Sequence, residues 1–124
     1  MMYSLAIALG GALGAVSRYW VVSAVSAANT HRFPWGTLAV NVLGSLAIGI
    51  MYVLITERMA LSEQWRALLV VGFLGAFTTF STFSLDALLL AQEGYILQAA
   101  AYIGSSVVLC LLSAWAGIAL MRVF

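Results

Sequence analysis

The stretch GAFTTFSTFS, residues 75–84, sets five threonines and serines among phenylalanines, with ALLVVGFL before it and LDALLLA after it. A strongly apolar segment thus carries its hydroxyls near its middle. Gly72, Gly75 and the β-branched threonines also make this a poor stretch of helix. The apolar block that contains it runs over roughly 65–91, longer than the roughly 20 residues a straight membrane span needs. Such a segment either tilts or breaks. A break frees backbone carbonyls, which lipid tolerates only where protein or a water-filled cavity surrounds them.

Working outward, the chain of 124 residues is 65% hydrophobic and 7% charged, with five arginines, no lysine and four acids. Soluble domains carry about 25% charged residues, and the mean hydropathy here is +1.10. The composition therefore predicts an all-α membrane protein of four transmembrane helices, over roughly 3–26, 34–56, 65–91 and 95–121. These form a single transmembrane domain, 1–124, with no room for an ATP-binding module and no phosphate-loop motif. The first apolar run lacks a basic leader and is too long for a signal-peptide core, so it reads as a retained helix. Pro34 suits the start of the second helix, and Tyr3, Trp35, Tyr52, Trp65 and Tyr95 fall near block ends as interfacial aromatics do.

Charge and cysteine usage exclude more. A net charge of +1 does not suit a nucleic-acid partner, and Cys110, the single cysteine, permits no intrachain disulfide or cysteine metal cluster. Arg58, Arg66 and Arg122 fall on one side of the membrane, Arg32 and Arg18 toward the other. This weak positive-inside bias permits insertion in both directions and an antiparallel dimer. It is equally compatible with one fixed orientation.

Polar groups in hydrocarbon need partners or water. Thr37, Asn41 and Ser45 recur at i, i+4 and share one face of the second helix. Tyr102, Ser106 and Ser113 lie within about 40° of one another on the fourth. Thr78, Thr79, Ser81, Thr82 and Ser84 come from the third. Single hydroxyls of this kind usually serve as interhelical packing, whereas the Asn41 amide cannot be satisfied by its own helix alone. Gly10 and Gly14 form a Gly-x-x-x-Gly pair that points to close helix packing. Arg18 reads either as snorkelling to the interface or as an anion-attracting charge at a pore mouth. Asp86 is a candidate partner for it, or reaches the headgroups. Phe80 and Phe83, at i, i+3, share a helix face. Their ring edges carry partial positive charge, so they can join amide and hydroxyl donors in replacing an anion's water shell without a full charge.

GAFTTFSTFS, with GTLAVNVLGS at 36–45 and GGALGAVSRY at 10–19, resembles the Fluc (CrcB) family of small bacterial fluoride channels over the whole chain. The resemblance implies a multi-pass protein of the bacterial cytoplasmic (inner) membrane that exports fluoride passively as an antiparallel, dual-topology homodimer with two pores. It implies a break in the third helix and a structural Na⁺ at the dimer centre, held by the backbone carbonyls of Gly75 and Thr78 from both copies. It assigns Phe80 and Phe83 to an aromatic box that meets fluoride, with Asn41 as the amide donor beside them. Tyr102 and Ser106 become the start of a hydroxyl track that Ser81 and Thr82 face, and Arg18 a vestibule residue. Cys110 and Ala114 depart from the hydroxyls some members carry further along the fourth helix.

Two other readings remain open at this level. One is a small dual-topology, proton-coupled multidrug exporter, which needs a membrane-embedded carboxylate; the first block has none. The other is a non-conducting membrane assembly subunit. An enzyme has the least support, since His31 stands alone in a loop with no nucleophile–base pair apparent.

Overall fold

The computed structural model describes residues 1–29, 32–59 and 61–124. His31 lies outside the described residues. Among those described, the chain is helical and contains no strand. The helices are α1 (Met2–Ala28), α2 (Trp35–Val53), α3 (Glu63–Arg66), α4 (Gly75–Phe77), α5 (Phe80–Gln92) and α6 (Ile96–Val123). Two π-helical segments join them: Leu54–Arg58 extends α2, and Ala67–Leu74 links α3 to α4.

Four stretches are long and apolar enough to cross a membrane: Met2–Ala28, Trp35–Arg58, Glu63–Gln92 and Ile96–Val123. Their ends fall within about two residues of those expected from the apolar blocks, because charged and polar residues stop each run. Pro34 stands immediately before α2, where its missing N–H costs nothing. The Ser62 hydroxyl accepts from the Trp65 N–H and starts α3. Gly94, with φ +92°, turns the chain from α5 into α6.

Small residues set the packing. α2 lies chiefly against α6, and α1 against the π-helical segment Ala67–Leu74. A Cβ on Gly49 would run into the Ala114 carbonyl, and one on Gly117 into the Leu46 carbonyl. Backbone therefore meets backbone across the α2–α6 crossing. Gly10 and Gly14 play the same part against Leu68 and Phe73, so the Gly-x-x-x-Gly pair is a packing seam. At one end, Arg122 forks onto Glu57 (2.8 Å), and Arg58 donates to the carbonyls of Met121 and Phe124. At the other, Arg32 bridges to Glu93 at 3.1 Å. The span order read from the sequence is consistent with both pairs.

Candidate functional site

The site begins where α4 ends. Thr78 (φ −89°, ψ 159°) and Thr79 (φ −153°, ψ 116°) are extended, and α5 starts at Phe80. Thr78 stays tied to its own helix: its N–H and its hydroxyl both donate to the Leu74 carbonyl, at 3.1 and 3.0 Å. Thr79 turns away. Its N–H donates to Asn41 Oδ1 at 2.8 Å, and its carbonyl accepts from Asn41 Nδ2 at 3.0 Å. The side-chain amide of α2 thus pairs with one peptide unit as a neighbouring strand would. The Gly75 carbonyl, which a continuous helix would give to the Thr79 N–H, loses that donor. The Thr78 carbonyl accepts from Arg18 Nη1 at 3.4 Å.

The Thr79 hydroxyl caps α5. It accepts from the Thr82 N–H at 3.1 Å and donates to Thr82 Oγ1 at 3.1 Å, with Ser81 Oγ 3.3 Å away. Thr79 is only 8% exposed, so its peptide groups depend on these side chains rather than on water.

A cavity of about 490 Å³ opens beside this turn, lined among others by Asn41, Thr78, Phe80, Phe83, Ser106 and Cys110, with Gly75 at its wall. The Phe80 and Phe83 rings lie 5.5 Å apart at 52°, and Phe80 is 79% exposed. Ser106 is 5% exposed, yet its hydroxyl has no hydrogen-bond partner among the described residues. Four of the anticipated pathway residues, Asn41, Phe80, Phe83 and Ser106, therefore meet at one cavity together with the two residues expected to offer carbonyls.

The others sit elsewhere in the chain. Ser81 and Thr82 are exposed on α5 and engaged with the Thr79 hydroxyl. Tyr102 is fully buried, 0% exposed, with its hydroxyl donating to Asp86 Oδ2 at 3.2 Å. Asp86 therefore does not pair with Arg18, one of the partners considered from the sequence; the Tyr102 phenol across the α5–α6 contact engages it. Arg18 donates to the Thr78 carbonyl, 60 residues away. Ser113 does not line the cavity, whereas Cys110, one turn after Ser106, does. Sequence reasoning gave no role to the Thr79 peptide or to Phe33, whose ring meets Tyr102 at 5.4 Å. Neither has a spacing signal, since both act through contacts distant in the chain.

The cavity offers two phenyl rings, the Ser106 hydroxyl and the second Nδ2–H of Asn41, groups without a formal positive charge. Among the described residues, no cluster of three or more His, Cys, Asp or Glu could hold a metal.

Four candidate spans, three of which line a cavity that carries Asn41, Ser45, Thr78, Thr79 and Ser106 among apolar side chains, define a small multi-pass membrane protein. Residues 5–118 match the family described as CrcB-like protein, Camphor Resistance (CrcB), and the chain belongs to that family. It is 56% identical over 116 residues to a protein of Hahella chejuensis named fluoride-specific ion channel FluC, covering 94% of this chain and 91% of that one. A protein of the same name from Magnetococcus marinus is 50% identical over 116 residues, 94% of each chain. Another, from Methylococcus capsulatus, is 50% identical over 117 residues, 94% of this chain but 51% of its own. The chain spans about half the length of that last relative.

Proposed function

We propose that the chain forms a passive, fluoride-selective channel that lets fluoride leave the cytoplasm of a bacterium across its inner membrane. Fluoride enters cells as the neutral acid and ionises inside, so a passive anion leak lowers it. The names carried by relatives at 50–56% identity support this reading. The single observation that carries it is the Ser106 hydroxyl, 5% exposed and without a partner, in the cavity it shares with Asn41, Phe80 and Phe83. A buried unpaired hydroxyl is costly unless something transient satisfies it. A small, strongly hydrated anion fits donors of this kind, which hold it well enough to enter and weakly enough to leave.

The working unit in this proposal is an antiparallel homodimer. Gly75, Phe80, Ser81 and Thr82 are exposed near the middle of the third span, where polar groups require cover. A second copy of the chain supplies it, and the near-even split of arginines allows the copy to be inverted.

The turn at Thr78–Thr79 then acts as a functional break. Unwound carbonyls in a membrane are suitable ligands for Na⁺, and the Gly75 carbonyl has been released from its helical partner. The donor set fits a hard cation, with the Gly75 and Thr78 carbonyls of each copy as its ligands. Na⁺ bound there would supply fixed positive charge at the centre of the proposed dimer. Arg18 donates to the same Thr78 carbonyl at 3.4 Å, so a cation there would have to share that oxygen with a guanidinium that repels it.

A proton-coupled exporter is less well supported, because the carboxylate of Asp86 is held by the buried Tyr102 phenol outside the cavity. The test is fluoride efflux from liposomes loaded with fluoride, at protein density verified by labelling. Wild type should release fluoride and discriminate against chloride, and Phe80→Ile should not release it. Absence of fluoride flux in the wild type overturns the proposal.

A further inference from the structure

A second cavity of about 460 Å³, lined by Arg32, Phe33, Trp35, Tyr95 and Gln98, opens at the first-loop end. Three rings lie between it and the Phe80 cavity. Phe33 stands in the second cavity and meets Tyr102 edge-on, at 5.4 Å and 83°. Tyr102 in turn meets Phe83 at 5.2 Å and 52°, and Phe83 lines the first cavity. With Phe80–Phe83 at 5.5 Å, an unbroken series of ring contacts runs from the loop to the exposed phenyl.

The geometry points to Phe33 as a positioning residue for the anion path, holding Tyr102 against Phe83 from the far side. This rests on the fluoride-channel reading above. Tyr102 is wholly buried among Leu38, Ala87, Leu90 and Ala99, with Phe33 and Phe83 packed against that cluster. Its phenol is anchored at the tip, on Asp86 with the Thr37 hydroxyl beside it, which leaves the ring plane to its neighbours. Among the described residues, Phe33 and Phe83 are the aromatic rings in contact with it. Edge-to-face contact fixes the angle of a ring as well as its distance.

Phe33 is itself held in place. It precedes Pro34, whose ring restricts the backbone before it, and it packs on Trp35 at 4.5 Å. Arg32, next to it, bridges to Glu93 and lies 4.8 Å over the Tyr95 ring, tying the first loop to the start of α6. A displaced first loop therefore tilts Phe33, releases Tyr102 and lets Phe83 turn its edge away from the cavity.

The experiment compares wild type, Phe33→Leu and Phe33→Trp by two readouts. The first is fluoride efflux from liposomes. The second is the ¹⁹F NMR signal of Tyr102 in 3-fluorotyrosine-labelled dimer, assigned by its loss in Tyr102→Phe. Phe33→Leu keeps the apolar bulk and loses the ring. It is expected to slow fluoride efflux about tenfold, the scale of one aromatic contact, and to shift or broaden the Tyr102 signal. Phe33→Trp, which restores a ring, should recover both. Should Phe33→Leu fail to assemble, Phe33→Met repeats the measurement. An unmoved Tyr102 signal, an unchanged efflux rate, or equal damage from Phe33→Trp overturns the proposal. A wild type that passes no fluoride overturns the channel reading instead, and the Tyr102 signal still decides whether Phe33 sets that ring.

Discussion

Replacing Asn41 by alanine removes both hydrogen bonds between α2 and the Thr79 peptide, 2.8 Å at its N–H and 3.0 Å at its carbonyl. Thr79 is 8% exposed, so bulk solvent does not take their place. Each orphaned backbone group costs about 1–3 kcal/mol, which sets about 2–6 kcal/mol as the range for the pair. Asn41 borders the cavity, and water admitted there returns part of this, so the expected loss is about 3 kcal/mol. Asn41→Asp keeps the acceptor for the Thr79 N–H and loses the donor to its carbonyl. On hydrogen bonding alone it should cost about 1–3 kcal/mol. Ser45 supplies the control: it lies one turn further along the same face, lines the same cavity, and forms no side-chain hydrogen bond among the described residues. Ser45→Ala should stay within about 0.5 kcal/mol of wild type. Unfolding by titration with a denaturing detergent, followed by tryptophan fluorescence, ranks the four proteins. If Asn41→Ala matches Ser45→Ala, the amide does not hold the turn and the argument built on it fails.

Phe80→Ile should abolish fluoride efflux with little change in protomer stability, because the side chain is 79% exposed on the protomer; loss of helical circular dichroism in that variant would contradict this. Gly49→Ala should destabilise the α2–α6 crossing by about 1–3 kcal/mol, since its Cβ meets the Ala114 carbonyl, and a variant as stable as wild type would show that the helices slide apart freely. Thr79→Val removes the acceptor for the Thr82 N–H and should cost about 1 kcal/mol, visible as faster hydrogen exchange at the Thr82 amide. Exchanging Na⁺ for N-methylglucamine should weaken the proposed dimer in light-scattering mass measurements; an unchanged dimer after exhaustive exchange argues against a Na⁺ at Gly75 and Thr78.

The four spans were legible because hydropathy and the placement of charge are local properties. The polar face of α2 was legible for the same reason: i, i+4 spacing places Thr37, Asn41 and Ser45 together whatever surrounds them. What Asn41 binds was not, since Thr79 is 38 residues away and one threonine peptide looks like another in sequence. The partners of Arg18 and Asp86 were hidden likewise. Arg18 is 60 residues from the carbonyl it approaches, and Asp86 meets a tyrosine that the family resemblance had placed on a hydroxyl track. The π-helical segments left no trace at all, because ALLVVGFL is as apolar as any ordinary span and hydropathy does not register the width of a turn.

The π-helical segment Ala67–Leu74 leads directly into α4 and the extended pair. Its wider turns set the rotational phase at which the chain arrives at Gly75. Dropping a single residue there is offset only if the segment at the same time tightens into ordinary α-helix, whose residues each turn further about the axis. While the wide turns persist, everything downstream would rotate by somewhat less than the roughly 100° of an α-helical residue. The Thr79 peptide would then face away from Asn41, and Phe83 away from Tyr102. The length of this unremarkable apolar run is thus under geometric constraint, although almost any apolar residue could occupy many of its positions.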